Sequence, residues 1–216
     1  MNIFKSWREP VNALTHLIAF LFICPITMFL SYISYIKGGL QHLIPFFIFS
    51  LSICLLYISS TIYHMLPVKE NIIKILKKID HIMIFILIAG TYTPICLIKL
   101  NNSFGYTILT IIWIIALLGI ILKIFWINAP RWFSTLIYVG MGWLSLSAFF
   151  PLIQSIQFNG ILLLILGGII YTIGAIIYAT KSPKFSFKFF GFHEIFHLFV
   201  IGGSICHIIF MFKYVL

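Results

Sequence analysis

Two histidines stand four residues apart in the segment His193-Glu194-Ile195-Phe196-His197. On a helix that spacing leaves the side chains about 40° apart in projection and about 6 Å apart along the axis, so both imidazoles can grip one ion. The same spacing also serves proton relays and packing histidines, and depth in the structure has to separate these readings. His64 can supply a third nitrogen from another segment. Three protein ligands leave one tetrahedral position open, the pattern of reactive rather than structural zinc. Nitrogen donors favour zinc over magnesium or calcium, which take oxygen. Asp80 has the chemistry of a general base toward a metal-activated water. Ser60 lies four residues before His64, hence on the same helix face, where its hydroxyl can orient that water or donate to a developing oxyanion. The plainer role for Ser60 is a small interhelical contact.

Other polar residues support or stand apart from this set. Glu9, Asn12 and His16 flank the start of the first apolar run, and a hydrogen-bonded structural role is expected of His16, one turn from Asn12. Glu194 points about 100° away from its neighbour His193 and is read as supporting or interfacial. His207 lies about 15 Å beyond His197 along a helix and cannot share its ion. His81 points away from its neighbour Asp80, and His42 falls in a loop at the opposite end. Cys24, Cys54, Cys96 and Cys206 sit in apolar stretches without a CxxC pair and read as small embedded hydrophobes.

The elements that position these residues follow from composition. Of 216 residues, 62% are hydrophobic and only 8% charged. Soluble domains carry about 25% charged residues, so here the apolar surplus must face lipid. No linker-like or low-complexity stretch divides the chain, which reads as one domain. The net charge of +10 sits in short clusters between apolar runs, where it marks topology and headgroup contacts rather than nucleic-acid binding. The basic N-terminus runs into an apolar stretch too long for a signal-peptide core, with no small-residue cleavage site, so it is expected to be retained as a helix.

On a ruler of about 20 apolar residues per crossing, seven spans are expected. They cover about residues 11–36, 43–66, 79–98, 104–126, 131–150, 161–179 and 191–212. The charged stretch after Pro67 reads as a loop reaching Lys78, and Lys181 to Lys188 as a basic loop. The fold class is thus an all-α membrane protein, a seven-transmembrane helix bundle. Eleven Lys and Arg, including Lys5, Arg8, Lys123, Arg131, Lys184 and Lys188, fall on one side, against Lys37, Lys99 and Lys213 on the other. That bias predicts a cytoplasmic N-terminus and an outside C-terminus. His64, Asp80, His193, His197, Glu9, Asn12 and His16 then all fall in the cytoplasmic layer, although orientation came from Lys and Arg alone. Ionisable groups in membrane spans are costly and usually functional, so the convergence favours the metal reading.

Taken together, Glu9-Pro10-Val11-Asn12 with Thr15-His16, Ser60-x-x-x-His64, Asp80-His81 and His193-Glu194-Ile195-Phe196-His197 resemble the hemolysin III family. That family lies in the progestin and adipoQ receptor group, within a wider superfamily that includes alkaline ceramidases. The resemblance covers nearly the whole chain and is to the short bacterial form. It implies a seven-helix bundle with cytoplasmic N-terminus in a bacterial cell membrane. It also implies a zinc ion held by His64, His193 and His197, with Ser60 and Asp80 around the water that the zinc holds.

Three functions follow as expectations. The first is a zinc-dependent hydrolase of lipid amides or esters, with membrane lipids as partners and a role in membrane lipid homeostasis. The second is a pore or cytolytic channel, as the hemolysin name implies, although polar residues do not continue across the spans. The third is a non-catalytic regulator of membrane state with structural zinc.

Overall fold

The computed structural model describes residues 6–183 and 190–216, so Lys5, Lys184 and Lys188 of the expected basic clusters lie outside the described residues. Six helices are long and apolar enough to cross a membrane: α1 (Pro10–Met65), α2 (Glu70–Lys99), α3 (Ser103–Phe125), α4 (Arg131–Ser155), α5 (Phe158–Thr180) and α6 (Phe192–Val215). No strand occurs among the described residues.

The sequence predicts seven spans where six such helices are found, and the difference lies inside α1. Helical geometry fails there at Gly38 (φ −145°, ψ 17°) and Gly39 (φ 62°, ψ −151°). The second pair of angles is open essentially to glycine alone. The legs on either side pack antiparallel. Ser31 and Ser50 share a hydroxyl hydrogen bond of 2.7 Å, and Ser50 also donates to the Thr27 carbonyl at 2.6 Å. At the other end of the hairpin the Glu9 N–H donates to the His64 carbonyl at 3.0 Å, and the Arg8 N–H to that of Met65 at 3.3 Å. These small hydroxyls let two apolar legs approach and hydrogen-bond where no water competes.

Helix α2 begins at Glu70, well before the expected 79. The charged stretch read as a loop forms its first turns, with Glu70 and Lys74 paired at 3.6 Å across one turn. Lys and Glu are good helix formers, so charge here marks the water interface rather than the end of the helix. Between α3 and α4 the chain turns at Asn128-Ala129-Pro130, and Lys78 from α2 donates to the Ile124 carbonyl at 2.7 Å, covering the open end of α3.

The core holds Phe46, Phe49, Tyr57, Phe85, Ile112 and Phe210, all fully buried. Large apolar side chains also cover the outside, with Phe22 68% and Leu118 59% exposed, the surface a lipid solvent requires. Helices α5 and α6 approach closely through glycines. A Cβ on Gly203 would lie 2.7 Å from the Tyr171 ring, and one on Gly167 2.6 Å from His207. Beside this seam Ser204 accepts from Tyr57 at 2.8 Å and lies 2.9 Å from the Tyr171 hydroxyl.

Candidate metal centre

His64 is contributed by the last turn of α1, and His193 and His197 by the first turns of α6. Glu194 starts that helix by accepting from the Gly191 N–H at 2.7 Å, so its carboxylate is spent on capping. The three imidazoles each offer a nitrogen within 4.8 Å of the others. Nε2 of His64 and Nε2 of His193 are separated by 3.4 Å. Two nitrogens about 2.0–2.1 Å from one tetrahedral ion sit about 3.3–3.4 Å apart, so this pair already has the spacing of shared ligation.

The outer nitrogens are engaged in a way that fixes which atoms face inward. Nδ1 of His64 lies 2.5 Å from Oε2 of Glu9, which also accepts from Asn12 Nδ2 at 3.3 Å. Burial alone would raise the Glu9 carboxyl, but the His64 hydrogen bond and the charges of His64, Arg8 and His193 outweigh it and hold the group at about 2. An ionised carboxylate can only accept, so His64 carries its proton on Nδ1 and presents Nε2 as a lone pair. His197 follows by a second route. The Thr15 hydroxyl donates to the Asn12 carbonyl at 2.9 Å and lies 3.2 Å from His197 Nδ1. Its single proton is spent, so it accepts from His197 Nδ1–H and leaves Nε2 free.

His16 is buried at 3% exposure and stacks on His197, with ring centroids 3.6 Å apart and planes within 7°. The expected hydrogen-bonded role is not what its ring does: neither nitrogen has a hydrogen-bond partner. It packs as a flat wall, with Tyr57 edge-on at 5.1 Å. Ser60 is buried and lies beside Asp80. Both stand apart from the three-histidine set and share with His193 and His197 the lining of one cavity of about 200 Å³. Its wall follows α2 from Asp80 to Cys96, about 24 Å of helix at 1.5 Å per residue, and continues to Leu100 just beyond it. The far part is lined by Ile108, Leu152 and Ile161. The space is therefore long and mostly apolar, with Asp80 and every lining histidine but His207 gathered at one end. His207 lines it further along, bonded to the Gly203 carbonyl at 2.8 Å.

Sequence reasoning assigned no task to Thr15, whose only signal was its place beside His16. It also left unspecified which histidine Glu9 would serve.

Fold and site together define a multi-pass helical membrane protein, consistent with a bacterial cell membrane, carrying three histidines close enough to hold a metal ion. The chain belongs to the haemolysin-III related family, whose model matches residues 4–208. It is 42% identical over 201 residues to the "Hemolysin-3 homolog" of Bacillus subtilis (strain 168), covering 93% of this chain and 91% of that protein. It is 40% identical over 199 residues to "Hemolysin-3" of Bacillus cereus, covering 91% of this chain and 87% of that protein.

Proposed function

We propose that the protein is a zinc-dependent hydrolase of amide or ester bonds in membrane lipids, with His64, His193 and His197 holding the ion. The observation that carries this reading is the cavity: a chain-shaped apolar space ending at two of the three histidines and at the Asp80–Ser60 pair. A zinc ion there supplies Lewis acidity, polarising a carbonyl and making water a better nucleophile. The hydrocarbon chain of the substrate lies along the apolar wall, and its carbonyl is brought to the histidine end. Asp80 takes a proton from the attacking water as the new C–O bond forms, then returns it to the departing amine or alcohol as the old bond breaks. Ser60 holds the Asp80 carboxylate in position. Glu9 and Thr15 hold His64 and His197 with Nε2 facing inward.

The same reading takes both legs of α1 as crossings, giving one domain of seven spans. Residues 10–37 and 40–65 each extend about 40 Å, more than the roughly 30 Å of hydrocarbon to be crossed. The eleven-to-three distribution of basic residues supports a cytoplasmic N-terminus and histidine end, with the C-terminus outside. A pore, suggested by the relatives' name, is poorly served by this lining, because conduction needs polar groups along the path and Leu100, Ile108, Leu152 and Ile161 offer none.

The test pairs metal content with lipid turnover in purified protein. Wild type is expected to carry stoichiometric zinc, lost in His64→Ala and His193→Ala. Asp80→Asn is expected to keep the metal and lose hydrolysis of a ceramide or phospholipid substrate. Metal-free wild type overturns the site. Bound zinc without turnover of either substrate class leaves the ion structural and overturns the hydrolase.

A further inference from the structure

A second cavity, of about 280 Å³, opens at the same end of the bundle and has a different character. Its walls include Lys77 and His81 from α2, Lys123 from the end of α3, and Arg131 and Ser134 from the start of α4. Three of these side chains are cations, and no carboxylate lines the space. Lys123 is the telling one. It is 1% exposed, and its Nζ donates to the Ser134 hydroxyl at 2.5 Å. Among the described residues it has no acidic partner within ion-pair distance. Burying an ammonium against a neutral hydroxyl leaves most of its desolvation cost standing, and two further cations in the same space add repulsion.

The surrounding groups are placed to receive an anion. Nδ1 of His81 is buried without a partner. Arg131 is exposed at the mouth, its guanidinium over the faces of Tyr178 at 5.1 Å and Phe192 at 5.5 Å. That leaves its in-plane N–H groups available for a planar or tetrahedral oxyanion. Helix α4 starts at this residue, so its amino end adds positive potential. Lys78 does not compete, since it is engaged with the Ile124 carbonyl.

We propose that this cavity is a phosphate-binding site, with Lys123 and Ser134 at its floor and Lys77 and Arg131 closing over the ligand. Basic pockets between spanning helices at a membrane face take lipid head groups, and the same donors accept free phosphate. The site does not depend on the metal reading, although Tyr138, Tyr178 and His81 line both cavities.

The test uses delipidated full-length protein with two probes: dioleoyl phosphatidylglycerol, followed by native mass spectrometry, and inorganic phosphate, followed by titration calorimetry. Lys123→Gln and Arg131→Gln are each expected to weaken binding by about tenfold, the loss of one charge-assisted contact. Lys37→Gln, at the opposite end of α1's first leg, is expected to bind as wild type. Lipid retention that millimolar phosphate does not displace identifies a head-group site, and displacement or direct phosphate binding identifies a free-anion site. Either result supports the proposal. It is overturned if wild type binds neither probe, or if both variants bind as tightly as wild type. Should Lys123→Gln fail to fold, the exposed Arg131→Gln carries the test.

Discussion

Replacing Glu9 by Gln keeps the shape of the side chain and one acceptor oxygen but removes the charge that His64 Nδ1 meets at 2.5 Å. A hydrogen bond to a charged group is worth about 1.5–3 kcal/mol. The Glu9 side chain is 41% exposed, so solvent screening brings the value toward the low end. A loss of about 1.4 kcal/mol is tenfold in affinity, within the 10–100-fold typical of partners that orient metal-binding histidines. Zinc affinity is read by competition with a chromophoric chelator on detergent-purified protein. Glu9→Gln is expected to bind about tenfold more weakly than wild type. His64→Ala, which deletes a ligand, is expected to lose stoichiometric zinc altogether. Unchanged affinity in Glu9→Gln beside a lost site in His64→Ala would show that the carboxylate does not tune the ligand, and the tautomer argument would fall with it.

Other positions give independent checks. Thr15→Val removes the acceptor for His197 Nδ1 while keeping the volume, and is expected to weaken zinc about fivefold, the worth of one neutral hydrogen bond, in the same competition assay. Gly39→Ala forces a side chain into φ 62°, ψ −151° and is expected to cost about 1–3 kcal/mol, seen as a lower thermal midpoint with metal stoichiometry retained. Gly203→Ala drives a Cβ to 2.7 Å from the Tyr171 ring and is expected to destabilise by about 1–3 kcal/mol in a denaturation series. An unchanged midpoint there would mean that the α5–α6 seam can open without cost.

Much of this architecture was legible because lipid imposes a simple rule on the chain. Apolar runs long enough to cross had to be helices, and the charges and turn residues between them had to lie near water. The charged turns of α2 escaped because hydropathy reports where the bilayer ends, whereas helix propensity decides where the helix ends. The hairpin inside α1 is signalled by Gly38-Gly39, but the backbone angles that turn the chain back are not readable from residue types. At the site, the i,i+4 spacing brings His193 and His197 together on any helix, so that pair could be read directly. The approach of His64 depends on how α1 packs against α6, which no local pattern specifies. Thr15 was hidden for another reason: its role depends on where its one proton goes, and that is settled by the Asn12 carbonyl.

The three histidines are not held alike. His64 and His197 are both set from the segment that opens α1, one by a carboxylate and one by a hydroxyl. That segment is tied to the end of the hairpin's second leg by two backbone hydrogen bonds, so Glu9 is carried into register with His64 by the main chain. His193 is fixed by rings instead, with Tyr178 at 5.7 Å, Phe196 at 5.9 Å and Phe192 at 6.2 Å. Ring contacts restrict an imidazole less sharply than a directed hydrogen bond, because dispersion varies gently with angle. Two imidazoles are thus preset in tautomer and direction, and the third has freedom to adjust. An ion entering the site needs the widest nitrogen pair, within 4.8 Å, to close toward the 3.4 Å already present between His64 and His193. Any part of that closure that turns His193, at the amino end of α6 beside the cavity wall, meets the least resistance.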